Sequence, residues 1–203
     1  LVPRDIENAT RSTTPTIGAK EMVAPPDRDL ALNTLTNPFT YCGGLEPVKI
    51  AVSNYGSMGI TSFVINWSVN NVAQTPYTWT GTLAPAATRE ITVGNFNFPA
   101  NTSHNLRFTV STVNNSSDQR NYNDTLNVTG LNSSMHGTYT INQNAPASAT
   151  NYQSFTSLAT DLQAKGVCAP VVVNVVVGSG PYVERFLLND IRGTSSTNTI
   201  KIN

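Results

Sequence analysis

Apolar and polar residues alternate with period two along several short stretches of the first 130 residues, the pattern of strands with one packed and one wet face. Leu30-Ala31-Leu32 opens the series, and Pro47 precedes the alternating run at 48–52. Further strands are predicted at 61–69, 78–83, 89–93, 105–113 and 124–128, separated by turns rich in Asn, Gly and Pro such as Asn54-Tyr55-Gly56 and Asn70-Asn71. Six or seven short strands in about 100 residues read as an antiparallel β-sandwich. Trp67, in the longest of them, is expected at its centre.

The pattern changes after Gly130. Residues 137–141 predict a short strand and 142–151 a polar loop. Residues 154–165 predict a helix: Phe155, Leu158 and Leu162 share one face, Ser154 can cap the start and Gly166 the end. The valine-rich run 171–177 reads as a strand covered on both faces, followed by strands at 182–188 and 198–202. Residues 1–28 carry no hydrophobic period and close on Ala24-Pro25-Pro26, which implies a linker or extended arm. The expected division is therefore an arm at 1–28, a sandwich at 29–129, a linker at 130–136 and a second unit at 137–203. Leu1 is not an initiator Met and residues 201–203 stop inside a predicted strand, so the expectation is a fragment of a longer protein.

Composition narrows the function classes. Charged residues are only 12% of the 203, and twelve basic side chains balance twelve acidic ones. That excludes nucleic-acid binding through a basic patch, and no run is long enough to predict a membrane span. With 39% hydrophobic residues and zero net charge the chain folds. Asn, Thr and Ser take the place of charge, which suits the wet strand faces of an exported β-protein.

No catalytic constellation is legible. His104 and His136 fall in predicted loops without an Asp partner, so solvated loop histidines are expected. Glu184 is a minor candidate for a carbohydrate-facing carboxylate, and Gly178-Ser179-Gly180 lacks the Lys of a phosphate loop. Asp118, Asn121, Asn123 and Asp124 offer hard oxygens in one turn, a calcium candidate without EF-hand spacing. Tyr77, Trp79, Phe96 and Phe98 could stack on sugars, although core packing explains them as well. Asn-x-Ser/Thr occurs at Asn8, Asn66, Asn101, Asn114, Asn115, Asn123, Asn127 and Asn132, as a chain of this composition makes unavoidable. Cys42 and Cys168 fit neither a zinc motif nor a CxxC pair; a disulfide is one option, but separately placed cysteines are the favoured expectation.

The order of Asp29-Leu30-Ala31-Leu32, Cys42-Gly43-Gly44, the strand at 48–52 leading to Asn54-Tyr55-Gly56, Trp79-Thr80-Gly81-Thr82-Leu83, and the Asn/Asp-rich turn from Asn114 to Asp124 resembles the CARDB family of surface Ig-like domains. Residues 137–175 resemble the start of a pectin-lyase-like right-handed parallel β-helix, in which a helix plugs the open end and the first rungs follow. Together they resemble large cell-surface proteins of Bacteroidetes delivered by type IX secretion. The resemblance implies a mainly β fold: an Ig-like sandwich, a capping helix and β-helix rungs. It also implies an extracellular location and a non-catalytic spacer or binding module of a surface protein or adhesin. Its partners would be other surface domains, carbohydrate or the secretion machinery. Asp124-Thr125-Leu126 resembles the O-glycosylation pattern of such bacteria, which would place a sugar on Thr125. The alternative function is the accessory front end of a β-helix polysaccharide lyase or glycoside hydrolase; a third is docking through a sandwich edge strand.

Overall fold

The computed structural model describes Arg4, Thr10 and residues 25–203; most of the expected arm lies outside the described residues. Eight strands form the first unit: β1 (Leu30–Asn37), β2 (Gly44–Asn54), β3 (Ile60–Val69), β4 (Val72–Ala73), β5 (Tyr77–Leu83), β6 (Thr88–Phe98), β7 (Ser103–Val113) and β8 (Thr125–Asn132). β1-β2-β6 make one antiparallel sheet. In the other, β3 pairs with β4, β5 and β7, and β7 with β8, all antiparallel.

Alternation decides which side of each strand is buried. In β3, Phe63, Ile65, Trp67 and Val69 are buried while Thr61 and Asn66 are exposed. Val48, Ile50 and Val52 of β2 point at the same core from the opposite sheet. Trp67 stacks on Phe108 and its indole N–H donates to the Thr75 carbonyl at 3.0 Å, so its one polar atom is satisfied in the core. Asn70 and Asn71 both take positive φ, as a two-residue hairpin turn between right-twisted strands requires. Gly94 is needed for space: a Cβ there would sit 2.7 Å from Trp67 Cζ2.

The second unit contains β9 (Met135–Ile141), β10 (Asn151–Tyr152), α1 (Phe155–Lys165), β11 (Val167–Val175) and β12 (Ile200–Ile202). Its sheet runs β10-β9-β11-β12 and every pair is parallel. Tyr139, Val173 and Ile202 stack in register across three strands. Leu158 and Leu162 of α1 pack into a core of Met135, Ile141, Val167, Val171 and Val173. Ser154 accepts the Ser157 N–H, and Gly166 ends the helix by donating its N–H to the Leu162 carbonyl.

Three expectations are corrected. Of residues 130–136, expected as a linker, 130–132 end β8 and 135–136 begin β9, with only Ser133 and Ser134 between the strands. The valine run is not covered on both faces: Val171 and Val173 are buried, Val172 is half-buried, the strand stops at Val175, and Val177 is fully exposed. Residues 182–188 make no strand. Their alternating side chains go to the helix instead, with Tyr182 and Phe186 against Phe155 and Glu184 on the first turn of α1. The surface these alternate positions match is a helix end rather than a neighbouring strand.

Candidate functional site

The seam between the two units is built from the loop after β1, the β8–β9 link and the first residues of β11. Cys42 lies in the first and Cys168 in the last, and they are bonded, with sulfurs 2.11 Å and Cα atoms 5.5 Å apart. The expectation of separately placed cysteines is thereby overturned. Sequence distance misled it: β9 runs parallel to β11, and its entry next to Tyr41 brings position 168 back to the sandwich. The bond closes a loop of 126 residues; on the chain-entropy account that contributes about 5 kcal/mol through the unfolded state.

Hydrogen bonds reinforce the seam. Ser134 N–H donates to the Tyr41 carbonyl at 2.8 Å, Ser134 Oγ donates to the Lys165 carbonyl at 2.8 Å, and Asn101 N–H donates to Ser133 Oγ at 2.8 Å. A cavity of about 270 Å³ lies beside them, lined by Asn101, Ser103, Asn132, Tyr139 and Lys165 among others. His136, on β9 and not in a loop, places Nδ1 3.6 Å from Cys168 Sγ. Among the described residues, Cys42, His136 and Cys168 are the one group of three whose ligand atoms lie within 4.8 Å of one another. With the sulfurs bonded to each other, the group has no thiolate to offer a metal.

His104 also leaves its expected loop. It is a β7 residue, 4% exposed, set edge-on against Phe98 and Phe96. The Tyr41 hydroxyl lies 3.4 Å from His104 Nδ1 and donates to the Leu131 carbonyl at 3.3 Å. Burial pulls the imidazole below its ordinary pKa, against a smaller opposing effect of the Leu131 carbonyl. Burial likewise pushes the Tyr41 hydroxyl up to about 12. Both are core groups.

The carboxylate cluster has a member that sequence reasoning missed. Asp29, immediately before β1, is wholly buried and its Oδ1 accepts from Asn123 Nδ2 at 2.6 Å. Asp118 spends both oxygens on backbone, Oδ2 on the Leu30 N–H at 2.7 Å and Oδ1 on the Arg120 N–H at 2.8 Å. Burial, then Asp118, then Asp29 push the Asp124 carboxyl up to about 7. Asn121 is exposed, whereas Asn123 and Asp124 are partly buried. The one available signal was position: Asp29 stands directly before a wholly buried Leu30, where a strand entry next to a core leaves a carboxylate little water.

The remaining candidates separate cleanly. Thr125 is exposed at the first position of β8. Trp79 and Phe98 are core residues, with Tyr77 and Phe96 packed against the same core, so the four aromatics do not line up as an exposed platform. Glu184 caps α1, as described above. Among the described residues no helix is long and apolar enough to cross a membrane.

No family model matches the chain, and no curated protein does. Solved structures do. One is the solution structure of residues 272–376 of a protein described as a cell surface protein of Methanosarcina acetivorans, at 20% identity and TM-score 0.41, covering 53% of this chain and 92% of that one. A second is the CARDB domain of a Pyrococcus furiosus protein in complex with di-metal ions, at 20% identity and TM-score 0.40, covering 54% and 93%. The solution structure of that same domain matches at 19% identity and TM-score 0.38, covering 53% and 96%.

Proposed function

We propose that this chain is a non-catalytic segment of a large exported bacterial surface protein or adhesin, acting as a stiff spacer and binding module outside the cell. The Cys42–Cys168 bond carries the reading. Such bonds persist where the surroundings are oxidising, and this one ties a sandwich to the unit that follows it, so load passes between them through a covalent link. The parallel stack of β9, β11 and β12 supports the finer reading of residues 137–203 as a capping helix and the first rungs of a β-helix. Its partners on this reading are neighbouring surface domains, carbohydrate and the type IX secretion machinery.

The test uses the oxidised chain beside a Cys42→Ser/Cys168→Ser variant. Small-angle scattering is expected to give one fixed shape for the oxidised protein and a broader distribution for the variant. Incubation with a panel of acidic and neutral polysaccharides is expected to release neither reducing ends nor unsaturated products. Cleavage of any polysaccharide would replace this reading with the enzymatic one, and identical scattering from both proteins would remove the clamp from it.

A further inference from the structure

Where β1 enters the sandwich, the loop between β7 and β8 folds over it, fixed by the Asn123 carbonyl accepting the Leu32 N–H at 3.0 Å and the Arg28 carbonyl accepting the Gln119 N–H at 3.2 Å. Three oxygens at this seam are buried without a hydrogen-bond partner: Asp29 Oδ2, Asn123 Oδ1 and Asp124 Oδ1. Asp29 itself is 0% exposed. Burying a carboxylate oxygen without a donor is costly, and a proton, a guanidinium or a hard cation are the available remedies.

Of the two arginines nearby, Arg120 makes an ion pair with Asp29, Nε to Oδ2 at 3.9 Å, but donates it no hydrogen bond, and Arg28 Nε is buried without a hydrogen-bond partner. Every influence resolved on Asp124 disfavours its charge, and no arginine appears among them.

We propose that Asp29, Asn123 and Asp124 form a site for one hard divalent cation, calcium rather than magnesium, which ties the β1 edge of one sheet to the β7–β8 loop of the other. Asp118 is a positioning residue, since its oxygens hold the Leu30 and Arg120 backbone. Asn121, exposed at the loop tip, is outside the site. Two carboxylates and one amide oxygen, completed by water, suit the flexible six- to eight-oxygen shell of calcium; magnesium demands a near-ideal octahedron that this mixed loop does not present. The carboxylates of Asp29, Asp118 and Asp124 do not all lie within 4.8 Å of one another, in keeping with a site of two carboxylates and one amide oxygen rather than three carboxylates.

Isothermal titration of the chelator-stripped full chain with calcium chloride tests this. The expected result is one ion per chain with a dissociation constant in the range of about 0.1–1 mM usual for extracellular modules, magnesium at least tenfold weaker, and a higher melting temperature with calcium. Asp29→Asn and Asp124→Asn are each expected to weaken calcium at least tenfold. Asp124→Asn removes a buried charge, so in chelator it should melt no lower than the wild type, and its loss of binding cannot be put down to unfolding. No heat up to about 10 mM calcium, an order of magnitude above that range, would overturn the proposal. Calcium binding unchanged in Asp124→Asn would overturn it too, as would binding that appears only after Arg120→Gln, because the guanidinium paired with Asp29 would then be the resident cation.

Discussion

Glu184 holds the first turn of α1 by both carboxylate oxygens: Oε1 accepts the Phe155 N–H at 2.8 Å and Oε2 the Thr156 N–H at 2.9 Å, along with the Thr156 hydroxyl. These N–H groups have no partner inside the helix, and a negative charge there meets the positive end of its dipole. Burial acts to raise the Glu184 pKa, but the three hydrogen bonds outweigh it and leave the carboxyl below its ordinary value. Glu184→Ala is expected to cost about 1 kcal/mol, the usual worth of a cap at an exposed site. Urea unfolding of variant and wild type measures it. Because the folded pKa is depressed, this contribution is present above the unfolded value and fades as pH falls through the folded one; at pH 3 the two proteins should differ less than at pH 7.

His104 predicts acid sensitivity of another kind. Its folded pKa lies below the ordinary value of about 6.5, because it is packed among Phe96, Phe98 and Tyr41. The unfolded chain therefore takes up a proton first, and stability is lost as pH falls from about 6.5 to the folded pKa. The check is the difference in melting temperature between wild type and His104→Phe across that window, in which contributions common to both cancel. The difference should shift in favour of His104→Phe as pH falls, and a pH-independent difference would count against the buried imidazole.

Gly94→Ala is expected to destabilise by about 1–3 kcal/mol, the usual cost of overpacking a core. Its Cβ would meet the Trp67 ring at 2.7 Å, and β6 cannot retreat without breaking its ladder with β2. Chemical unfolding followed by Trp fluorescence measures the loss, and a shifted native emission would report the displaced indole.

Much of the sandwich was legible because each strand meets a simple demand. Ile65 and Trp67 go in, Asn66 goes out, and the turn residues Asn70 and Asn71 accept positive φ. The helix was legible for the same reason, since Ser154, Leu158, Leu162 and Gly166 agree with one another. What failed were inferences about pairs far apart in sequence. Tyr182, Glu184 and Phe186 alternate like a strand yet serve a helix end. His104 reads as polar, but a core containing the Tyr41 hydroxyl can house it. Asp29 and Asp124 are 95 positions apart and meet only because the β7–β8 loop closes over β1. Local pattern states which face is buried; it does not state against what.

The bond between Cys42 and Cys168 joins the sandwich to the unit that follows it. Peptide mapping by mass spectrometry, after alkylation and tryptic digestion without reductant, tests it most directly. Cleavage after Arg28, Lys49, Lys165 and Arg185 leaves peptides 29–49 and 166–185, each with one cysteine. The expected result is a single linked species of the two, separating only after reduction. Two separate peptides, both alkylated before any reductant is added, would contradict the clamp and the extracellular reading built on it.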